Sequence, residues 1–215
     1  MTHFKVCCIA SVAEAALACD HGAAAIGLVS EMPSGPGVIR EERIREIAAW
    51  APAGVRTFLL TARTEGADIA AQVAAVGTDT VQVVDAVPAR TYEVLRAALP
   101  GIQLVQVIHV RSEASIEEAR AVAPHVDALL LDSGDPTRAV KVLGGTGRSH
   151  DWSLSRRIVE AVGVPVWLAG GLHPGNARAA IDAVGPYGLD VCTGLRRDGA
   201  LDSVRLAAFA EAVRG

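Results

Sequence analysis

The chain has 215 residues, of which 51% are hydrophobic and 20% are charged, a composition that suits one globular domain with a sizeable core. Its formal net charge of −4 is spread without long runs of one sign, and only 4% of residues are aromatic, which argues against nucleic acid or an anionic membrane as a partner. No apolar run is long enough to span a membrane and residues 1–11 show no signal-peptide pattern, so we expect a cytoplasmic protein.

Strand-like apolar runs alternate with alanine-rich helical patterns along the chain. The strand runs lack polar alternation, which is typical of a parallel sheet covered by helices. The predicted strands are 4–10, 24–29, 55–60, 80–84, 102–110, 128–131, 165–169 and 189–192. The predicted helices are 12–20, 41–50, 68–76, 90–99, 115–123, 153–162, 176–184 and 203–213. Asp151 or Ser153, and Asp202, are the helix start signals.

Eight strands alternating with eight helices predict an α/β fold, a (β/α)8 TIM barrel, with residues 1–215 as a single domain. A doubly wound sheet would need fewer strands and a G-x-G-x-x-G turn after the first strand. The first turn here reads Ala10-Ser11-Val12, so the barrel is preferred. Active sites of such barrels lie at the C-terminal ends of the strands, where the long loops 30–39 and 132–152 would also lie.

Small residues end the last two predicted strands, as Gly170-Gly171 and Thr193-Gly194. Glycine lets backbone N–H groups approach an anion closely, and barrels frequently bind phosphate after strands seven and eight. These segments therefore predict a phosphate site, the alternative being ordinary tight turns. The run Gly145-Thr146-Gly147 could add backbone donors, or could be only a flexible turn.

The four cysteines are Cys7, Cys8, Cys19 and Cys192, and none forms a C-x-x-C pair. Adjacent side chains on a strand point to opposite faces, so Cys8 would face the helices if Cys7 faces inward. We therefore expect reduced thiols rather than a disulfide framework. No histidines have metal-ligand spacing, and we expect no metal site.

Three titratable residues are candidates for chemistry or substrate contact. Lys5 and Cys7 share one face of the first strand, where the cation would lower the thiol pKa from about 8.5 and favour a base; the alternative is a buried core cysteine. Asp132 ends a buried strand, where apolar surroundings would favour the protonated carboxyl of a general acid; the alternative is a turn residue. Asp190, inward on strand eight, could orient substrate hydroxyls or pair with Lys5.

Several segments match one family in order and spacing. They are KVC at 5–7, LDS at 131–133, GGTG at 144–147, DWS at 151–153, LAGGL at 168–172 with Pro174 and Asn176, and GLDV at 188–191 with Gly194. The sequence thus resembles phosphoribosylanthranilate isomerase of tryptophan biosynthesis. The resemblance implies a cofactor-free and metal-free Amadori rearrangement of N-(5'-phosphoribosyl)anthranilate, a small-molecule phosphosugar, to 1-(2-carboxyphenylamino)-1-deoxyribulose 5-phosphate.

The resemblance also implies residue roles, with Cys7 as general base and Asp132 as general acid. We expect substrate and phosphate contacts from Lys5, Gly145, Thr146, Gly147, Gly170, Gly171, Asp190, Thr193 and Gly194. We expect the enzyme to be a monomer or a homodimer.

The chain departs from the family on the aryl side of the pocket. Cys8 replaces a usual glycine, and Gly37 replaces the arginine that binds the anthranilate carboxylate in the family. The sequence at 82–85 is QVVD, where the family has Gln-Leu-His-Gly. Possible replacement cations, each of which could equally be a solvated surface charge, are Arg40, Arg63 and Arg111. If the carboxylate is still recognised, Gly37→Arg should strengthen ligand binding.

Two alternatives to this isomerase remain. One is a paralogous phosphosugar isomerase or lyase that takes a different N-substituent. The other is a non-catalytic barrel that binds a phosphoribosyl ligand. The presence of both Cys7 and Asp132 argues against pure binding, which requires neither residue.

Overall fold

The computed structural model describes residues 2–134 and 150–215. These residues form a closed barrel of parallel strands in chain order, with the first strand pairing with the last. The strands are β1 (His3–Val6), β2 (Ala25–Val29), β3 (Arg56–Thr61), β4 (Thr80–Val83), β5 (Gln103–His109), β6 (Ala128–Asp132), β7 (Val166–Leu168) and β8 (Gly188–Val191). The predicted (β/α)8 barrel is confirmed.

A helix follows each strand. The helices are α1 (Val12–Asp20), α2 (Glu41–Trp50), α3 (Gly66–Val76), α4 (Ala89–Ala98), α5 (Ala114–Val122), α6 (Trp152–Ala161), α7 (Ala177–Val184) and α8 (Ser203–Arg214). Two predicted start signals are N-caps: Asp151 accepts a bond from the Ser153 N–H at 2.8 Å, and Asp202 accepts one from the Arg205 N–H at 2.9 Å. The link from β8 to α8 contains a 3₁₀ turn (Thr193–Leu195) and a short hairpin of β9 (Arg196–Arg197) and β10 (Ala200–Leu201).

Side chains of the sheet alternate between two separate apolar clusters. On β6, Leu129 and Leu131 pack in the layer between sheet and helices, whereas Ala128 and Leu130 belong to the smaller cluster inside the barrel. This period of two is what continuous apolar strands require when both faces are buried.

Aromatic rings fill the end of the barrel where the strands begin. The Phe58 and Trp167 ring centroids lie 5.9 Å apart in an edge-on arrangement. Gly188 is needed beside them, because a Cβ there would lie 2.5 Å from the Trp167 ring. The interior is therefore closed at this end, and the space for a ligand lies at the C-terminal ends of the strands.

The first strand is shorter than the predicted 4–10, because β1 ends at Val6. Cys8 has φ +62°, a left-handed conformation that strands do not adopt. Cys8 consequently joins Cys7 in the cluster inside the barrel. The expectation that Cys8 faces the helices, which assumed a continuing strand, is wrong.

Candidate active site

A cleft opens at the C-terminal ends of the strands, with an empty volume of about 710 Å³. That size is within the usual range for small-molecule sites. Six of the residues singled out from the sequence line it: Cys7, Asp132, Gly170, Gly171, Asp190 and Thr193. The fold thus brings residues from β1, β6, β7 and β8 to one cavity.

The two glycine-containing turns meet along one side of this cavity. Gly170 and Gly171 have φ of +88° and +65°, which glycine adopts without strain. A Cβ on Gly194 would lie 2.0 Å from the Leu172 carbonyl oxygen, so only glycine permits this approach. Within residues 2–134 and 150–215, the backbone N–H groups of Gly171, Thr193 and Gly194 have no hydrogen-bond acceptor. Such grouped N–H donors suit an anion.

Lys5 lies beneath the cavity and is fully buried. Its Nζ is 2.9 Å from Asp190 Oδ1, donates to Gln82 Oε1 at 3.1 Å and lies 5.0 Å from the Phe58 ring centroid. Burial lowers the pKa of Lys5, but the neighbouring Asp190 and Cys7 outweigh it and the net pKa is raised. Lys5 therefore remains charged and reaches the cavity through Asp190 and Gln82, which line it. Its predicted direct contact with substrate stays a prediction.

Cys7 lies between Lys5 and the cavity, and it is 6% exposed. Burial raises the pKa of the Cys7 thiol to about 11, although the Lys5 charge acts to lower it. The expectation of a lowered pKa is therefore wrong, because loss of hydration outweighs the adjacent cation. Gly27 leaves room for the sulfur, since a Cβ there would lie 2.8 Å from Cys7 Sγ.

Asp132 is the last residue of β6, and it is 8% exposed at the edge of the cavity. Its Oδ1 accepts hydrogen bonds from the Ser133 N–H at 2.7 Å and from the Ser133 hydroxyl at 3.4 Å. These bonds hold the carboxyl on the opposite side of the barrel mouth from β1 and β2. The predicted contacts of Gly145, Thr146 and Gly147 lie outside the described residues.

The wall beneath the β2–α2 loop is apolar, with Val29, Met32, Leu60 and Val84 lining it. Among the described lining residues there is no arginine or lysine, and Arg40, Arg63 and Arg111 do not line the cavity. Gly37 has φ +80°, and a Cβ there would lie 2.4 Å from Cys8 Cβ. The expected benefit of Gly37→Arg is therefore corrected, because Cys8 occupies the space that any side chain at position 37 would enter first.

Cys8 and Cys192 form a disulfide in the wall of the cavity, with their Cα atoms 5.9 Å apart. The expectation of reduced thiols is wrong for this pair. The two residues are 184 positions apart in sequence, so local spacing gave no sign of them. The available signal was positional: each follows one of the terminal strands, and closing a barrel makes those strands neighbours.

The structure does not bring the histidines into the cavity. His109 Nε2 lies 3.0 Å from the Val84 carbonyl oxygen, and His150 Nε2 lies 2.6 Å from Ser155 Oγ. In the described part of the chain, no group of three or more His, Cys, Asp or Glu residues could hold a metal ion. None of the described helices is long and apolar enough to cross a membrane.

Comparison with known proteins gives a consistent result. Residues 4–212 match the family described as N-(5'phosphoribosyl)anthranilate (PRA) isomerase. The chain is 38% identical over 221 residues to the N-(5'-phosphoribosyl)anthranilate isomerase of Haloferax volcanii, covering 100% of this chain and 96% of that protein. It is 34% identical over 216 residues to the enzyme of the same name from Methanocella arvoryzae, with 100% and 99% covered.

Solved structures are similar over the full length. Phosphoribosyl anthranilate isomerase from Thermotoga maritima superposes with a TM-score of 0.84 at 27% identity, covering 100% of this chain and 99% of that one. Another phosphoribosyl anthranilate isomerase, in complex with reduced 1-(o-carboxyphenylamino)-1-deoxyribulose 5-phosphate, has a TM-score of 0.81 at 26% identity with the same coverage.

Proposed function

This chain belongs to the N-(5'-phosphoribosyl)anthranilate isomerase family, and we propose that Cys7 and Asp132 carry out its proton transfers. It is an isomerase of tryptophan biosynthesis that converts the aminoaldose N-(5'-phosphoribosyl)anthranilate to the corresponding aminoketose. The observation that carries the assignment of roles is the shared cavity, in which Cys7 and Asp132 lie with both phosphate-type turns.

The acid begins the rearrangement. Asp132 gives a proton to the ribose ring oxygen as the bond from that oxygen to C1' breaks, which opens the ring to an iminium ion. Cys7, as thiolate, then removes the proton from C2', beside the iminium carbon. The resulting enolamine becomes the ketone when C1' gains a proton and the C2' hydroxyl loses one. Each such acid or base typically contributes about 10²–10⁴ in rate.

The other cavity residues would place the substrate for these steps. The N–H groups of Gly170, Gly171, Thr193 and Gly194 would hold the 5'-phosphate, since they lie on one side of the cavity with acceptor-free donors among them. Asp190, held by Lys5, would accept hydrogen bonds from ribose hydroxyls. The apolar wall beneath the β2–α2 loop would receive the aryl ring.

We propose further that residues 1–215 act as one domain in the cytoplasm, as a monomer or homodimer, without metal or cofactor. Every group that these steps use lies on a single chain, which supports a self-sufficient protomer. Neither nucleic acid nor a membrane is required by any of these contacts.

Replacing the two catalytic candidates tests the roles directly. Cys7→Ser and Asp132→Asn should each lower kcat/KM by about 10²–10⁴, which is roughly 3–5 kcal/mol at 1.36 kcal/mol per tenfold. Inorganic phosphate, measured as a competitive inhibitor, should bind both variants nearly as well as the wild type. Cys19→Ser is the control, because Cys19 is a free cysteine on α1 away from the cavity.

Genetic complementation tests the reaction itself. The wild-type gene should restore growth of a tryptophan auxotroph that lacks this isomerase, and the Cys7→Ser gene should not. If turnover survives both substitutions, the assigned base and acid are wrong. Failure of the wild type to complement would instead favour a different N-substituent on the substrate.

A further inference from the structure

The Cys8–Cys192 disulfide lies in the cavity wall, yet no step of the proposed reaction uses it. Cys8 directly follows the proposed base, Cys7, and Cys192 directly precedes Thr193-Gly194 of the proposed phosphate site. The bond therefore joins the segment that carries the base to the turn that would hold the phosphate.

We propose that Cys8 and Cys192 are a redox-modification site, at which a dithiol opens the disulfide and thereby lowers isomerase turnover. The proposal rests on the function proposed above for the cavity. It assigns a role to two cysteines that lie in the active-site wall but take no part in proton transfer.

The barrel itself holds the two cysteines at bonding distance. Val6 pairs with Val191 across the β1–β8 junction, and the Cys7 N–H donates to the Val191 carbonyl oxygen at 2.8 Å. The 5.9 Å between the Cα atoms of Cys8 and Cys192 is typical of disulfides. The bond can therefore open and re-form without rearrangement of the sheet.

The surroundings suit both oxidation states. Cys8 Sγ lies 3.7 Å from the Pro36 carbonyl oxygen, which can accept a hydrogen bond from a reduced thiol. Cys192 is partly exposed while Cys8 is 5% exposed, so an external thiolate reaches the Cys192 sulfur first. Cys7 does not compete, because burial raises the pKa of its thiol to about 11 and keeps it protonated.

The exchange balances without any further reactant. A thiolate of the dithiol attacks Cys192 Sγ, the disulfide bond breaks, and Cys8 leaves as a thiolate that takes up a proton. The second thiol of the reagent then attacks the mixed disulfide, which releases Cys192 as a thiol and the reagent as a cyclic disulfide. The protein pair gains two electrons and two protons, and the dithiol loses the same. An oxidised dithiol reverses the reaction.

Opening the bond should loosen the backbone around the base. Cys8 has φ +62°, which a non-glycine residue keeps only when its surroundings enforce it. The remaining restraints are the Arg196 guanidinium, which donates to the Cys8 carbonyl oxygen, and its ion pair with Glu14 at 2.9 Å. These restraints keep the reduced site partly ordered. We therefore expect about a tenfold fall in kcat/KM, rather than the roughly 10²-fold that a full 1 Å displacement can cost.

A redox titration of the full-length wild-type protein tests the proposal. The protein is equilibrated with mixtures of reduced and oxidised dithiothreitol, its thiols are trapped with an alkylating agent, and the labelled residues are identified by mass spectrometry. Parallel samples give kcat and KM, and calorimetry gives the affinity for inorganic phosphate. We expect Cys8 and Cys192 to become labelled together, with kcat/KM falling about tenfold along the same curve.

Two variants separate the pair from general effects of the reductant. Cys192→Ser should have the lower kcat/KM at every ratio of the mixture, because it cannot form the bond. Cys19→Ser should keep the wild-type redox response, because Cys19 is the free cysteine on α1.

Two results would overturn the proposal. One is labelling of both cysteines even in the fully oxidised mixture, which would show that the bond does not form. The other is a kcat/KM that stays constant while the bond opens. A protein without isomerase activity in either state, whose phosphate affinity still changes as the bond opens, would refute the assigned base and acid and leave the redox site standing.

Discussion

Burial of the Cys7 thiol sets the terms on which it can act as a base. The thiol pKa is raised to about 11, so the resting group is a thiol with Lys5 close by. Catalysis needs the Cys7 thiolate together with a protonated Asp132. That form carries the same number of protons as the thiol with an ionised carboxylate, so their proportion does not change with pH. The enzyme would therefore act through a minor proton arrangement that Lys5 stabilises.

Direct titration checks this account of Cys7. The thiolate absorbs near 240 nm, and the difference between wild type and Cys7→Ser should stay flat from pH 7 to 10, then rise toward a midpoint of about 11. Because the folded pKa lies above the ordinary 9.0, the stabilisation from the buried thiol is complete below pH 9 and is lost as pH rises to about 11. A midpoint at or below 8.5 would contradict the burial argument and favour an activated thiolate.

At the scale of loops and turns, two glycines act through close contact rather than through flexibility. Gly194 lies against the Leu172 carbonyl, which brings the turns after β7 and β8 together. Gly37 lies against Cys8, which brings the β2–α2 loop onto the end of β1. Both contacts form the rim of the cavity from segments that are distant in sequence.

Gly194→Ala should weaken phosphate binding, because a Cβ 2.0 Å from the Leu172 carbonyl oxygen forces the two turns apart. We expect about a tenfold or larger loss of affinity for inorganic phosphate by calorimetry, and a destabilisation of about 1–3 kcal/mol in urea. Gly163→Ala is the matched control, since a Cβ there meets no atom within 4 Å. Equal phosphate affinity in the two variants would argue against a phosphate site between these turns.

Gly37→Ala should destabilise the protein by more than strain at positive φ alone. Gly54→Ala measures that strain, because Gly54 has φ +91° and a Cβ there meets nothing within 4 Å. The excess at position 37 should largely disappear when Cys8→Gly is combined with it, giving a coupling of about 0.5–3 kcal/mol in urea unfolding. Additive effects within about 0.5 kcal/mol would show that Cys8 does not exclude a side chain at position 37.

At the scale of the whole molecule, the β1–β8 junction both closes the barrel and carries most of the proposed chemistry. The Lys5–Asp190 ion pair crosses it inside, and the Cys8–Cys192 disulfide and the Glu14–Arg196 pair cross it at the mouth. Stability and function are thus concentrated at one junction, and variants can separate them.

Lys5→Met should destabilise the protein by about 3–5 kcal/mol, because it leaves the Asp190 carboxylate buried without its cation. The double variant Lys5→Met with Asp190→Leu should recover most of that free energy of unfolding, since no buried charge is left unpaired. Its kcat/KM should nevertheless stay low, because Asp190 lines the cavity. A double variant as unstable as Lys5→Met alone would mean that packing, not charge, is what Lys5 supplies.

Much of this protein could be predicted from its sequence, because the governing interactions are local. Continuous apolar strands between alanine-rich helices specify a parallel barrel, and β-strand ends rich in small residues mark its ligand-binding edge. The family motifs then named Cys7 and Asp132, which the structure places in one cavity. The tertiary structure decided what depends on distant segments. Burial reversed the expected pKa change of Cys7, the contact with Cys8 explained Gly37, and barrel closure joined Cys8 to Cys192 across 184 residues. Hydration, steric exclusion and strand closure depend on the whole fold, so no local pattern encodes them.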